Sequence, residues 1–298
     1  MGDDTLDGGT GQDTLTGGDG ADSFILRVGD GGSALTDADI VTDFTDGTDI
    51  FKLDSTVAFS DLVIEQGTSS NSSDTIIKKG SEFLAVVQNI NASALNYYDF
   101  VSSATESLTL SGTSGDNILL GASGNDTATS GSGADIIITH GGDDAITIDG
   151  VGSKTIDGYS GTDSLTISIS NLADYTISTS GDYLVLTDAS GNVIQYKNME
   201  SLTVGSYSYI EDTSNDTFWN STERVVYMYD GGNTSFSELS GFYSSPSSNF
   251  SLIGSGSDDY MNLNINRFGG MESAQYLTGN MTISMGDGND SIGAARFK

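Results

Sequence analysis

The sequence predicts an all-β protein of parallel β-roll segments, which are short β-solenoids, joined by additional β-strand modules. Three observations lead to this prediction: a nine-residue repeat, a high glycine content, and short β-branched or aromatic runs between Ser/Gly turns. Of the 298 residues, 39 are glycine and one is proline. Disorder is not expected, since 13 Tyr, 12 Phe and many aliphatic residues occupy periodic positions.

The repeat has the form G-x-D-x-U, in which U is a large apolar residue. A first block contains two whole copies within residues 8–25, and a second block covers 115–146. Further copies lie at 161–165 and 288–292. The residues at the aspartate position of these copies are Asp4, Asp13, Asp22, Asn117, Asp126, Asp135, Asp144, Asp163 and Asp290.

The nine-residue spacing suits a coil of two short strands and two turns. Strand side chains alternate between faces, so a strand such as 14–16 points one apolar side chain inward. Two repeats form an eighteen-residue coil, and successive coils stack at roughly 4.8 Å, the ordinary strand spacing. Aspartates eighteen residues apart then lie above one another, beside the carbonyls of glycine-rich turns. Such an oxygen-rich cage suits calcium, and several calcium ions are expected.

The charge balance excludes several classes of partner. The chain has 42 Asp and Glu against 10 Lys and Arg, a net charge of −32. Nucleic acid requires a basic footprint, and anionic membrane surfaces are disfavoured for the same reason. No apolar run is long enough for membrane insertion, and the absence of cysteine excludes disulfides and thiolate metal sites. Bound cations would relieve the self-repulsion of the carboxylates.

The motif resembles the haemolysin-type, or RTX, calcium-binding nonapeptide G-G-x-G-x-D-x-U-x, whose positions are numbered one to nine below. The resemblance implies a parallel β-roll that a bacterial type I machinery secretes and external calcium folds. Asn117 departs from the pattern and is expected to give a weaker edge site, and most copies of the second block lack the double glycine. The side-chain ligands that the resemblance implies are Asp4, Asp13, Asp22, Asp126, Asp135, Asp144 and Asp163.

The segment after the first block adds candidate ligands. Its pattern, "DIVTDFTDGTDIFKLD", contains a near-copy of the turn at 47–50 and is similar to segments that follow such rolls in RTX proteins. Asp43, Asp46 and Asp49 are therefore further candidates. A looser resemblance to calcium-dependent bacterial S-layer proteins rests on "NMESLTV", "GGMESAQYLTG" and "ISMGDGNDSI".

The chain divides into three predicted segments. Residues 1–101 are expected to form a β-roll followed by a β-strand cap, with strands near 63–65, 75–78 and 83–87. Residues 102–210 would form a second roll with β-hairpin strands, and 211–298 a degenerate β-rich module. Incomplete repeats at both ends suggest a fragment of a longer protein, because a solenoid normally caps its open edges.

No catalytic constellation is predicted, and we expect no enzyme activity. His140 is the sole histidine, stands where a turn glycine would fall, and is expected at the surface. A zinc cluster and a Ser-His-Asp set are therefore excluded. A glycosidase-like carboxylate pair stays formally open, but carboxylates used as metal ligands are poor candidates for it. Tyrosine pairs such as Tyr97-Tyr98 are either sugar-stacking platforms or, more often, half-buried strand residues.

These observations favour an extracellular, calcium-binding structural protein of the S-layer or adhesin type on a bacterial cell surface. It would fold on binding calcium and self-associate into a lattice or filament. The alternative is the C-terminal RTX module of a type I-secreted enzyme or of a protein that binds cell-surface polysaccharide.

Overall fold

The computed structural model describes residues 2–55, 57–104 and 107–212, followed by seven strands between 217 and 293; side chains are described up to residue 209. The described residues form 28 β-strands and five single turns of 3-10 helix, and no α-helix occurs among them. This confirms the all-β prediction. The 3-10 turns are Leu35–Asp37, Phe59–Asp61, Ser69–Asn71, Tyr97–Asp99 and Leu172–Asp174.

The chain divides into two compact units. One comprises Met1–Ala145 with Asp157–Gly161, and the other comprises Ile146–Ile156 with Thr162–Lys298. The strands of the first unit are β1 (Thr5–Leu6), β2 (Thr14–Leu15), β3 (Ser23–Leu26), β4 (Asp39–Val41), β5 (Ile50–Leu53), β6 (Leu62–Gln66), β7 (Thr75–Lys79), β8 (Glu82–Val87), β9 (Phe100–Ser102), β10 (Thr109–Ser111), β11 (Ile118–Leu120), β12 (Thr127–Thr129) and β13 (Asp135–Ile138).

The division falls at β14 (Ala145–Ile148), which begins at the end of the first unit. The following strands are β15 (Lys154–Asp157), β16 (Ser164–Ile167), β17 (Tyr175–Ser180), β18 (Tyr183–Asp188), β19 (Val193–Lys197), β20 (Ser201–Val204), β21 (Tyr207–Asp212), β22 (Thr217–Asn220), β23 (Val225–Met228), β24 (Asn233–Ser235), β25 (Phe250–Ile253), β26 (Tyr260–Asn262), β27 (Met281–Ser284) and β28 (Ser291–Gly293).

The rolls of the first unit have the predicted coil length. Thr5 pairs in parallel with Ser23, and Leu119 pairs in parallel with Ile137, so one coil takes eighteen residues. The strands are only two to four residues long, because the six-residue turn takes up most of each nonapeptide. The parallel β-roll prediction is therefore confirmed.

The first roll lengthens its coil after two rungs. Ser23 pairs with Ile50, twenty-seven residues later, and the next step in that sheet joins β5 to β9. In the facing sheet, β2, β4 and β8 are parallel, and the antiparallel strands β7 and β6 extend this sheet beyond β8. The extra residues of the longer coils thus form a hairpin that completes the sheet.

The apolar position of the repeat supplies the core of the first roll. Phe24, Phe51 and Phe100 are paired on neighbouring strands and are fully buried. The Phe51 ring lies 5.3 Å from that of Phe100 and 4.7 Å from that of Phe44, centroid to centroid. Such contacts add to the free energy gained by removing these large rings from water.

The second unit combines both types of pairing. Leu165 pairs in parallel with Leu202, and both side chains are buried. The strands β17, β18 and β19 form an antiparallel meander, as the Ser-Gly turns predict, and β20 to β23 continue antiparallel. Beyond these, β23, β25 and β27 return to parallel pairing, as do β24, β26 and β28.

Candidate metal centre

The turn of the nonapeptide depends on backbone that only glycine adopts easily. Position four has a positive φ in several copies, as at Gly133 (103°) and Gly142 (115°). A Cβ on Gly133 would lie 2.7 Å from the carbonyl carbon of Gly115, the position-four glycine of the preceding coil. Stacked turns therefore approach each other through their main chains, which brings their carbonyl groups close to the neighbouring turn.

The carboxylates at position six form a ladder along each column of turns. Asp22 Oδ1 accepts a hydrogen bond from the backbone N–H of Asp4 at 2.9 Å, eighteen residues earlier. The same bond joins Asp135 Oδ1 to the Asn117 N–H at 2.9 Å. It recurs between the Asp144 carboxylate and the Asp126 N–H, and between the Asp126 carboxylate and the Leu108 N–H, both at 2.6 Å. Each rung thus fixes the orientation of the next ligand.

Asp22 has the strongest indication of a bound cation. Its side chain is fully buried, and Oδ2 has no hydrogen-bond partner among the described residues. A buried carboxylate oxygen without a partner is costly unless a proton or a cation meets it. A Cβ at Gly17, position one of the same turn, would collide with this oxygen. The glycine therefore keeps a space open beside the carboxylate.

Side chains alone do not complete a metal cage. Among the described residues, no three acidic or histidine side chains converge on one point. The remaining ligands must come from the main chain, and the Gly124 carbonyl oxygen lies 2.5 Å from the place a Cβ would take on Gly142. Carboxylate and carbonyl oxygens form an all-oxygen donor set, which suits calcium and not zinc. The turns of both blocks therefore fit calcium.

Burial adds an electrostatic reason for a cation. Asp126, Asp135 and Asp144 are each at most 2% exposed. Burial raises the pKa of Asp144, and the neighbouring carboxylate of Asp126 raises it further. A divalent cation would remove this penalty and favour the ionised carboxylate.

The first roll contains a ladder carboxylate, Asp39, that the repeat pattern does not predict. Asp39 Oδ1 accepts from the Asp13 N–H at 2.9 Å, twenty-six residues earlier, and the Asp39 side chain is 6% exposed. Burial raises its pKa, and the charge of Asp13 adds to this effect. The signal was the D-x-U pattern of Asp39 and Val41, which lacks the usual glycine two residues before the aspartate.

The structure separates the three aspartates predicted after the first block. Asp49 continues the ladder, since its Oδ1 accepts from the Asp22 N–H at 2.8 Å. Asp43 instead accepts from the N–H groups of Gly17 and Gly18, at 3.0 and 2.8 Å. Both aspartates therefore accept backbone hydrogen bonds from turns of the first roll. Asp49 meets the aspartate position of its turn, and Asp43 meets the two glycines that begin the same turn.

Asp46 lies away from the ladder. It is exposed, and its carboxyl group hydrogen-bonds that of Asp99, which is 2% exposed. Burial raises the pKa of Asp99, and the contact with Asp46 raises it further. The structure thus joins Asp46 to the 3-10 turn Tyr97–Asp99 and does not bring it to Asp43 or Asp49.

Arginine supplies a fixed positive charge in the first roll. Arg27 forms ion pairs with Asp7 (2.9 Å), Asp30 (3.1 Å) and Asp54 (3.8 Å). The hydrogen bond from this guanidinium lowers the pKa of Asp7. These three carboxylates therefore share one positive charge from a side chain, which the repeat pattern does not indicate.

In the second unit, a glutamate continues the ladder. The N–H of Asp163, which is 1% exposed, donates to Glu200 Oε2 at 2.6 Å. Glu200 stands in an E-x-U pattern with Leu202, which resembles the D-x-U of the nonapeptide. It was missed because the motif requires aspartate. The glutamate side chain thus accepts from the N–H of a position-six aspartate, as the ladder aspartates do, but the two residues are 37 apart in sequence.

His140 is half-buried, whereas a surface position was expected. Its backbone has a φ of 66°, and Tyr159, nineteen residues later at the same repeat position, has a φ of 69°. The two rings lie 5.2 Å apart, centroid to centroid. Burial lowers the pKa of His140, which favours the neutral imidazole.

The predicted ligands near the start of each block are more exposed to solvent than those that follow. Asp4 is exposed, Asp13 and Asn117 are half-buried, and Asp290 lies outside the described residues. The roles of all the predicted ligands in metal binding stay predictions. Among the described residues, no helix is long and apolar enough to cross a membrane.

A scan against protein-family models matches the RTX calcium-binding nonapeptide repeat, present in four copies, at residues 1–31 and 111–146. These segments are RTX repeats. They contain the ladders from Asp4 to Asp22 and from Asn117 to Asp144. Asp39, Asp43, Asp49 and Asp163 lie outside the matched RTX segments.

Comparisons of whole chains add little about function. The crystal structure of the extracellular lipase LipA from Serratia marcescens is similar with a TM-score of 0.32 and 16% sequence identity. The match covers 60% of this chain and 28% of the lipase chain, and it is too distant to bear on the role of the RTX repeats. No curated protein is matched by the sequence.

Proposed function

We propose that the chain is part of an extracellular, calcium-dependent structural protein of the S-layer or adhesin type, and that calcium folds its RTX rolls. The observation that carries this proposal is the carboxylate ladder, with the buried, unpartnered Oδ2 of Asp22 at its centre. Its backbone bonds hold each carboxylate in place before an ion binds.

Calcium, when bound, supplies the positive charge that this acidic chain lacks. The residues of the chain orient the oxygen ligands and exclude water: Asp22 and Asp49 are buried, and each accepts a backbone N–H from the preceding coil. An ion that binds only the folded state stabilises it by mass action. Scarce cytosolic calcium would leave the chain expanded for export, and abundant external calcium would fold it.

Self-association would follow from the open ends of the sheets. Among the described residues, β17 is an edge strand of six residues inside the chain, and Thr176 on it is exposed. An edge strand offers unpaired backbone groups to another chain, and head-to-tail contacts propagate into a lattice or filament. These properties support an assembling surface protein.

The alternative is an RTX module that serves a type I-secreted enzyme or a protein that binds cell-surface polysaccharide. It is favoured by the hairpin of β6 and β7, which extends the sheet of the first roll and gives that roll an end of its own. In either case we propose no catalysis by the chain itself, because the ladders use many of the buried carboxylates among the described residues and His140 packs against Tyr159.

The test is a calcium titration of the full chain followed by circular dichroism, with electron microscopy in calcium and in chelator. We expect a gain of β-structure with calcium, and ordered assemblies that disappear on chelation. A chain without any spectral response to calcium would contradict calcium-dependent folding. Folding to dispersed monomers would contradict only the lattice or filament and would favour the module.

A further inference from the structure

A lysine occupies a predicted ligand position of the repeat shortly after the second block. Lys154 follows Asp135 by nineteen residues and begins β15, as Asp135 begins β13. Its turn contains Gly152 with a φ of 114°, the backbone of position four, and Ile156 fills the apolar position with a fully buried side chain. Lys154 is therefore at position six, where the repeat has aspartate.

The lysine side chain is buried together with its charge. Lys154 is 1% exposed, and Nζ donates to the carbonyl oxygen of Val151 at 3.3 Å. Val151 is the third residue of the same turn, so the ammonium group contacts a turn carbonyl. A buried ammonium ion is tolerated only when oxygen atoms surround it.

The strand β19 offers no carboxylate at this level. The Val193 N–H donates to Ser153 Oγ at 3.1 Å, and Gln195 Nε2 donates to Thr155 Oγ1 at 2.9 Å. Ile194 lies between these two contacts and is 3% exposed. A calcium ion at this level would lack the aspartate of its own turn and would find an apolar residue on β19.

We propose that the ammonium group of Lys154 replaces a calcium ion in this turn, so that this rung folds without a metal. The inference rests on the proposed calcium-dependent folding, because it assigns one turn of the column to a side-chain cation. The chain has only 10 Lys and Arg, and one of them is fully buried at a ligand position. A single positive charge there permanently offsets part of the chain's net charge of −32.

Two variants of the full chain test this inference. Lys154→Asp restores the repeat and is expected to bind one calcium ion more than the wild type. The matched control Lys154→Met keeps the length of the side chain without its charge. It is expected to bind the same number of ions as the wild type, but to need roughly two- to tenfold more calcium to fold, because it breaks a buried charge interaction. Equilibrium dialysis with atomic emission counts the ions, and circular dichroism gives the folding midpoint.

The outcomes separate the two proposals. An unchanged ion count in Lys154→Asp, or an unchanged folding midpoint in Lys154→Met, overturns the role of Lys154. If the aspartate variant does not fold, the midpoint of the methionine variant decides alone. A wild type that binds calcium and gains β-structure while the variants fail these expectations leaves the proposed function intact. A wild type without a calcium response overturns both proposals.

Discussion

Asp22→Asn is the sharpest test of the ladder, because it removes the charge and keeps the shape. The amide oxygen can still accept the Asp4 N–H, now 2.9 Å from Oδ1, so the backbone contact is preserved. What is lost is the ionised oxygen in a fully buried site. Without calcium, where the proposed function leaves the rolls unfolded, the variant should not differ from the wild type in circular dichroism.

With calcium, the same change should destabilise the protein. At a calcium concentration 100-fold above the dissociation constant, losing one site costs about 2.7 kcal/mol. For a domain of 150–250 residues this lowers the Tm by roughly 5–11 °C. The assay is thermal unfolding followed by circular dichroism, in saturating calcium and in chelator.

The matched control is Asp19→Asn, which removes the same charge from an exposed position of the same turn. We expect its Tm in calcium to stay close to that of the wild type. Equal Tm losses in the two variants would refute the reasoning, because the effect would then follow net charge. A difference between the circular dichroism spectra of Asp22→Asn and the wild type in chelator would also refute it.

Three further predictions concern other parts of the rolls. Gly121→Ala places a Cβ against the carboxylate of Asp126 and should raise the calcium midpoint for folding in circular dichroism, whereas Gly115→Ala, with open space around it, should not. Burial raises the pKa of Asp144 above its ordinary value of about 4, and calcium must displace the proton that this carboxylate then holds; the calcium midpoint for folding should therefore rise as pH falls through the raised pKa, which calcium titrations followed by circular dichroism at several pH values would detect. Phe51→Ala removes a fully buried ring and should cost about 3–5 kcal/mol in urea unfolding with calcium present; a loss below 1 kcal/mol would contradict its place in the core.

The repeat predicts local pairing well because its period fixes the coil. Eighteen-residue offsets, such as that of Leu119 and Ile137, follow directly from two nonapeptides per turn of the roll. The all-β class and the inward apolar residues follow from the same periodicity. These features depend on short segments whose turn residues are explicit in the sequence.

The rest of the site could not be predicted, because the coil changes length. Once a coil takes twenty-six or twenty-seven residues, spacing alone no longer shows which carboxylate meets which backbone donor. Asp39 and Glu200 therefore escaped a search for glycine–aspartate copies, although both reach the N–H of a position-six aspartate. Asp46 was grouped with Asp49 by proximity in sequence, yet it contacts Asp99, more than fifty residues away.

The bonds of the ladder have a spectroscopic consequence. In these columns the amide protons of Asp4, Asn117 and Asp126 point at carboxylate oxygens and not at main-chain carbonyls. Each such proton senses the ionisation of one particular side chain. In a nitrogen–proton correlation spectrum, the shift and exchange rate of each amide would report separately on its own rung, so the order in which the rungs are occupied can be followed without any added probe.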